Sequence, residues 1–254
     1  MKVTVCELPN DPSALEDAWK SLCIHTKEQK SDFVLLPELP FFRWLMADQN
    51  PDSELWLEYI NRHNAWIERL PELGAPVAAA TRPLLRDRIR LNSGFIWDSE
   101  LGATNVHEKY YLPDEPGFWE ASWYSRGAKD FEAFQTAQSK IGFLICTELW
   151  FNQHAREYGK QGVQLLLCPR ANLNPNWITG GQTAAFVSGA YCLSSNFSGK
   201  TPGGKNFAGI GWIIEPSEGK ILGTTSTREP YLTMENDLTL ADKAKKTYPR
   251  YVRD

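Results

Sequence analysis

An α/β or α+β layered domain with mixed sheets is the architecture this chain predicts, and three observations carry that expectation. Amphipathic helical stretches alternate with short apolar runs in the first third of the sequence. Hairpin-like pairs break the alternation in the middle and again near the end, which a purely parallel doubly wound sheet would not do. With 42% hydrophobic residues in 254, the chain can bury a sizeable core, and it shows no internal repeat, low-complexity tract or linker. Residues 1–254 therefore read as one domain.

Each element has a local reason. "MKVTVCELPN" alternates as a strand. Asp11 can cap a helix with Pro12 at its first position, and Leu15, Ala18, Trp19, Leu22, Cys23 and Thr26 then fall on one stripe. "DFVLLPELP" reads as a buried strand ended by Pro37. A second helix is expected from Ser53 to Leu70, before Pro71 and Gly74 break it. "VAAATR" is the next strand, and "NSGFIWD" and "ATNVHEKYY", joined by "SELG", read as a hairpin. After the loop "LPDEPGFWEASWYSRG" come the strands "FEAFQT" and "IGFLIC", a polar helix from Gln153 to Lys160, and the strand "VQLLLC". The last third predicts a helix through "QTAAFVSGAY", a strand "CLSSNF", a glycine-rich loop, a hairpin "IGWIIEPSEGKILG" and a strand "YLTMEND". The basic, aromatic tail, about 241–254, reads as a surface arm or a subunit contact.

Composition narrows the partners. A net charge of -4 gives no broad basic field for nucleic acid or an anionic membrane surface, so a small molecule or another protein is expected. The N-terminus lacks the long apolar segment of a secretory signal, and no apolar run approaches a bilayer span. Five scattered cysteines without a C-x-x-C pair argue against a disulfide framework and a structural zinc site, and fit a reduced cytoplasm.

Three ionisable residues stand where strands should end: Glu38 in "LLPELP", Lys109 in "HEKYYLP" and Cys146 in "LICTELW". Free cysteine commonly serves as a small buried hydrophobe, and Cys168 in "LLLCPR" shows how cheap the pattern is. After Cys146, however, Thr147 and Glu148 break the apolar run and a helix soon begins. Such a strand-to-helix turn exposes a nucleophile and aims backbone N–H groups at an oxyanion. Glu38, among Leu36, Pro37, Leu39, Pro40, Phe41 and Phe42, is a desolvated carboxylate suited to general base work. Lys109, beside Tyr110, Tyr111 and Leu112, is a cation that could stabilise a thiolate and a developing oxyanion.

Together these segments resemble the nitrilase superfamily of carbon–nitrogen hydrolases, whose pattern is a glutamate after an apolar strand, a lysine in a "K-x-x-L-P"-like stretch and a cysteine ending an apolar strand. "FWEASWYSRG" supplies a match, Glu120, to the family's second glutamate followed by a glycine. The "LNSGFIWDSELG" and "AYCLSSN" segments extend the likeness over almost the whole chain. Where many members carry an aspartate two residues beyond the cysteine and "F-P-E" further on, this chain has Glu148 and "FNQ".

The resemblance implies a four-layer αββα sandwich, with two mixed β-sheets between helix layers, that forms a homodimer. It implies Cys146 as nucleophile, Glu38 as general base, Lys109 and the N–H of Thr147 as oxyanion donors, and Glu120 orienting Lys109 and meeting the substrate's amine. No metal or organic cofactor is expected. The implied activity is hydrolysis of a small amide, of amidase, ω-amidase or N-carbamoyl type, through a thioester. Nitrile hydrolysis and acyl transfer are the alternatives, with a non-catalytic binding paralogue behind them. Phe42, Trp44, Tyr110, Trp119, Trp150 and Trp177 could wall an aromatic cleft, with Tyr110, Glu148, Trp150, Arg170 and Trp177 as substrate contacts. Arg170 could clamp a substrate carboxylate or pair with Glu148.

Overall fold

Side-chain alternation along the first strand sets up the layers. In β1 (Lys2–Pro9), Val3 and Val5 face one apolar cluster while Cys6 and Leu8 face another. The chain continues through α1 (Pro12–Gln29), β2 (Phe33–Leu35), α2 (Ser53–Ile67), β3 (Val77–Arg86), β4 (Ile89–Asp98), β5 (Gly102–Glu108) and α3 (Glu120–Trp123). It goes on through β6 (Phe134–Gln135), β7 (Lys140–Phe143), α4 (Asn152–Lys160), β8 (Leu165–Pro169), α5 (Ile178–Ser188) and β9 (Tyr191–Ser198). β10 (Trp212–Ile214), β11 (Ile221–Thr224), β12 (Tyr231–Glu235) and α6 (Leu238–Ala244) complete it. This computed structural model describes residues 1–252.

One mixed sheet runs β12-β1-β2-β3-β4-β5, with β1, β2 and β3 parallel and the other neighbours antiparallel. A second runs β6-β7-β8-β9-β10-β11, with β7, β8 and β9 parallel and the rest antiparallel. The last residues of β1 and β9 pair in parallel, Glu7 opposite Asn196 and Leu8 opposite Phe197, which joins the sheets at one corner. Between them lies a shared core in which Val5, Leu35, Ala79 and Ile96 meet Ile141, Phe143, Leu167 and Leu193. On the outer face of the first sheet, Trp19 and Leu22 of α1 pack on Cys6, Val34 and Ala78. Ala155 and Tyr158 of α4, with Ala184 and Ala185 of α5, cover Leu166, Cys192 and Trp212 of the second. These are the four layers, αββα, that the resemblance implied.

Most local expectations hold. Asp11 caps α1, its side chain accepting from the N–H of Ser13 at 2.9 Å. Four differ. β2 is only three residues long, and "FEAFQT" is mostly loop around a two-residue β6. The helix expected at "QTAAFVSGAY" begins earlier, at Ile178, and ends at Ser188 because Gly189 adopts φ +63 and the chain turns into β9. β3 and β4 extend well past "VAAATR" and "NSGFIWD" and join through Asp87 and Arg88. The tail is not a simple arm: it contains α6, whose Ala241 and Ala244 are buried, and Arg250 donates to the carbonyls of Ala244 and Phe186. Tyr248 and Tyr251 remain exposed, and Arg253 and Asp254 lie outside the described residues.

Candidate active site

Four short segments converge where the parallel strands end. After β2 the chain leaves the sheet, and Leu39, at φ +50, donates its N–H to the Thr81 hydroxyl at 2.8 Å. This bend holds Glu38 inward, with its N–H donating to the Arg170 carbonyl at 3.3 Å. Lys109 follows β5 directly. Its N–H donates to the Asn92 carbonyl at 2.9 Å, and its carbonyl accepts from the N–H of Gly127 at 3.0 Å. Gly127 permits that approach, because a Cβ there would collide with the Cβ and carbonyl of Glu108. Cys146 opens a 3₁₀ turn over Cys146–Trp150 at φ +46, a left-handed conformation in which a residue with a Cβ is strained.

The side chains of these segments form one buried ionic cluster. Lys109 Nζ donates to Glu38 Oε1 at 2.7 Å and to the two Glu120 oxygens at 2.8 and 2.7 Å, and all three groups are nearly or fully excluded from solvent. Glu38 Oε1 also accepts from Asn92 Nδ2 at 2.8 Å. Glu38 Oε2, buried, has no hydrogen-bond partner among the described residues, so one lone-pair face of this carboxylate is open to receive a proton. Cys146 lies within electrostatic reach of Glu38, Lys109 and Glu120.

Burial sets the protonation states. It pushes the Cys146 thiol well up, and Glu38 adds to the rise while Lys109 works against it. At neutral pH the residue is therefore a thiol, and chemistry at its sulfur would require a base. Burial works against the Lys109 ammonium, but Glu120 and Glu38 outweigh it, so its pKa is raised and the charge is held. Burial lifts Glu120 to about 8 against the pull of Lys109, as expected when two carboxylates share one cation.

Cys146, Thr147 and Glu120 line a cavity of about 370 Å³ whose wall includes Phe118, Ala171, Asn172, Asn174 and Trp177, with Glu115 and Lys205 also on it. Of the other expected contacts, Trp150 is 46% exposed and packs edge-on against Trp177. Tyr110 offers its ring to Arg126 and Lys129, and its N–H donates to Glu148 Oε1 at 2.8 Å. Glu148 is itself fully buried. Neither Tyr110, Glu148, Trp150 nor Arg170 is part of the cavity wall. Arg170 does not pair with Glu148. Its Nε donates to Ser194 Oγ at 2.6 Å, Nη1 to Asn172 Oδ1 at 2.7 Å and Nη2 to the Ile210 carbonyl at 2.5 Å, while the guanidinium lies 3.8 Å from the Trp212 ring centroid. Its partners are these acceptors and an aromatic face of the second sheet rather than a carboxylate of the ionic cluster.

Residues 2–246 match the carbon–nitrogen hydrolase family. The chain belongs to that family. It is 36% identical over 80 residues to an N-carbamoylputrescine amidase of Solanum tuberosum, a stretch that covers 32% of this chain and 27% of that protein. It is 28% identical over 177 residues to a citrullinase of Francisella tularensis subsp. tularensis, covering 67% of this chain and 61% of that one. Among solved structures, a carbon–nitrogen hydrolase from Helicobacter pylori superposes with a TM-score of 0.87 at 21% identity, covering 98% of this chain and 94% of that chain.

For this member of the carbon–nitrogen hydrolases, two polar residues at the site escaped the sequence reading. Asn92 sits in the run "RLNSGF", where a polar residue inside an apolar strand was a usable signal. His107, whose Nε2 lies 2.8 Å from Glu148 Oε2, gave none, since one histidine before a lysine looks like solvated surface. Among the described residues no cluster of His, Cys, Asp and Glu could hold a metal ion, and no helix is long and apolar enough to cross a membrane.

Proposed function

We propose that the chain hydrolyses the C–N bond of a small amide through a thioester on Cys146. The observation that carries this reading is the Lys109 ammonium bridging Glu38 and Glu120 beside a cysteine at φ +46 on the cavity wall. The open Oε2 of Glu38 takes the thiol proton as Sγ forms a bond to the carbonyl carbon. Lys109 and the N–H of Thr147 stabilise the oxyanion that develops. Glu38 gives the proton to the nitrogen, the C–N bond breaks and ammonia or an amine leaves. Water then attacks the thioester, Glu38 takes its proton, the C–S bond breaks, the acid departs and the proton returns to the thiol. Glu120 holds Lys109 from the side opposite Glu38 and reaches the cavity, where it can meet the substrate's amide nitrogen. The cavity's volume suits a small molecule, and the named activities of the similar Solanum and Francisella proteins make ureido compounds the first to try.

An ammonia-release screen over primary amides, N-carbamoyl compounds and nitriles tests this. Wild type should release ammonia from an amide or N-carbamoyl compound, and Cys146→Ala should release none while Cys168→Ala keeps most of the rate. Turnover that survives in Cys146→Ala would overturn the assignment.

A further inference from the structure

The carboxylate of Glu148 joins the two segments that the proposed reaction needs in register. Its Oε1 accepts from the N–H of Tyr110, the residue after Lys109. Its Oε2 accepts from the N–H of Ile145, the residue before Cys146, at 2.9 Å, and from His107 Nε2, two residues before Lys109, at 2.8 Å. Its own N–H donates to the Ile145 carbonyl at 3.0 Å, closing the turn on which Cys146 sits. One buried carboxylate thus ties the end of β5, in the first sheet, to the turn after β7, in the second. The shared core around it is apolar, and such packing sets register less finely than directional hydrogen bonds do.

Among the described residues, His107 is the only side chain that donates to Glu148. Its ring is buried, packed 5.0 Å from that of Phe131, and the charged or titratable groups facing it are Glu148 on the turn, Asp130 on the preceding loop and His154 on α4. Burial works to lower its pKa, but the charge and hydrogen bond of Glu148, with Asp130, outweigh that and raise it. A Glu148 left without this donor would keep its two backbone bonds but would lose the group that orients its carboxylate.

We propose that His107 and Glu148 are a positioning pair that fixes Lys109 relative to Cys146, touching neither substrate nor the reacting atoms. The pair rests on the reading of Cys146 and Lys109 as the reacting groups. A sub-ångström displacement of Lys109 costs transition-state stabilisation more than substrate binding, because the oxyanion exists only in the transition state and intermediate.

Three variants test it: His107→Leu, His107→Gln and His107→Asn. Glutamine can place a donor where Nε2 was, and asparagine can place one only near Nδ1. Two readouts are used: kcat and KM for the amide or N-carbamoyl compound that wild type turns over best, and the iodoacetamide alkylation rate of Cys146 across pH, followed by mass spectrometry of its peptide. His107→Leu should lose on the order of tenfold to a hundredfold in kcat with KM within about twofold, and its alkylation profile should shift as the lysine beside the thiol moves. His107→Gln should recover most of that loss, and His107→Asn should not. Equal kcat in the glutamine and asparagine variants overturns the pair, and so does a loss that only follows the fraction of folded protein. Cys146→Ala is assayed in parallel: turnover that persists there fails the catalytic reading itself, a result distinguishable from failure of the pair.

Discussion

Arg170 shows how a single side chain can be read correctly in kind and wrongly in direction. A lone guanidinium at the end of a strand invites a carboxylate, yet here it is fully buried with none paired to it among the described residues, and desolvation lowers its pKa to about 10. Its bonds reach the cavity only through Asn172, which lines the wall and also accepts from Asn196 Nδ2 at 2.8 Å. Arg170→Leu therefore removes three buried donors and a cation over Trp212. We expect a stability loss of about 3–5 kcal/mol by urea unfolding, and a turnover loss of similar size for neutral and carboxylate-bearing substrates. A loss confined to carboxylate-bearing substrates would contradict this placement. Glu38, Lys109 and Cys146 were legible as ionisable residues where apolar strands end, and Glu120 through the family resemblance. Asn92 and His107 were not, since their partners lie 54 and 41 positions away in the chain.

The hairpin of β3 and β4 carries Asn92 and Thr81 to the site, and it turns in a way the sequence disguises. Arg86 pairs with Ile89, so the loop is Asp87-Arg88, and both residues have positive φ, +50 and +67. Such two-residue turns match the twist of the strands but favour Asn-Gly or Asp-Gly, and Asp-Arg gives no such signal. The long register, from Val77 opposite Asp98 to Arg86 opposite Ile89, holds the turn in place against that preference. Arg88 is exposed, so replacing it relieves backbone strain without costing buried contacts. Arg88→Gly should raise stability by about 1 kcal/mol, read as an increased urea midpoint with unchanged slope and unchanged activity. A lowered midpoint would show that the side chain contributes more than the conformation costs.

Across the whole molecule the two sheets repeat one plan that the residues themselves do not display. β12-β1-β2-β3-β4-β5 and β6-β7-β8-β9-β10-β11 have the same order of parallel and antiparallel pairings, with α1 and α2 crossing over in the first as α4 and α5 do in the second. Strand pairing constrains backbone direction and an apolar pattern, not residue identity, so the likeness of halves leaves no repeat to read. Global stability is linked to protons through His63, which joins α2 to the loop after Glu38. Its Nδ1 donates to the Tyr59 carbonyl at 2.9 Å and its Nε2 accepts from the N–H of Phe41 at 3.5 Å, so a second proton would face a donor. Burial lowers its pKa from 6.5 to about 4. The folded state then binds fewer protons than the unfolded chain below pH 6.5, and stability falls with pH from 6.5 to about 4, by about 3 kcal/mol from this group. Urea unfolding across that window should show a shallower loss for His63→Gln than for wild type, and parallel curves would refute the linkage.

By itself the sequence determined the layered α/β class, the helix at Asp11 and Pro12, and the segments that meet at the buried ionic cluster. Each of those rests on local rules: an apolar period, a cap, a strand that stops at a polar residue. Which partner each buried polar side chain meets was decided only by tertiary structure. Arg170 and Glu148 stand near one another in sequence, yet Arg170 bonds to Ser194 and Asn172 while Glu148 bonds to His107, because each was taken up by a different sheet. A buried charge settles with whatever donors the packing brings within about 3 Å, and that packing is a property of the whole sandwich.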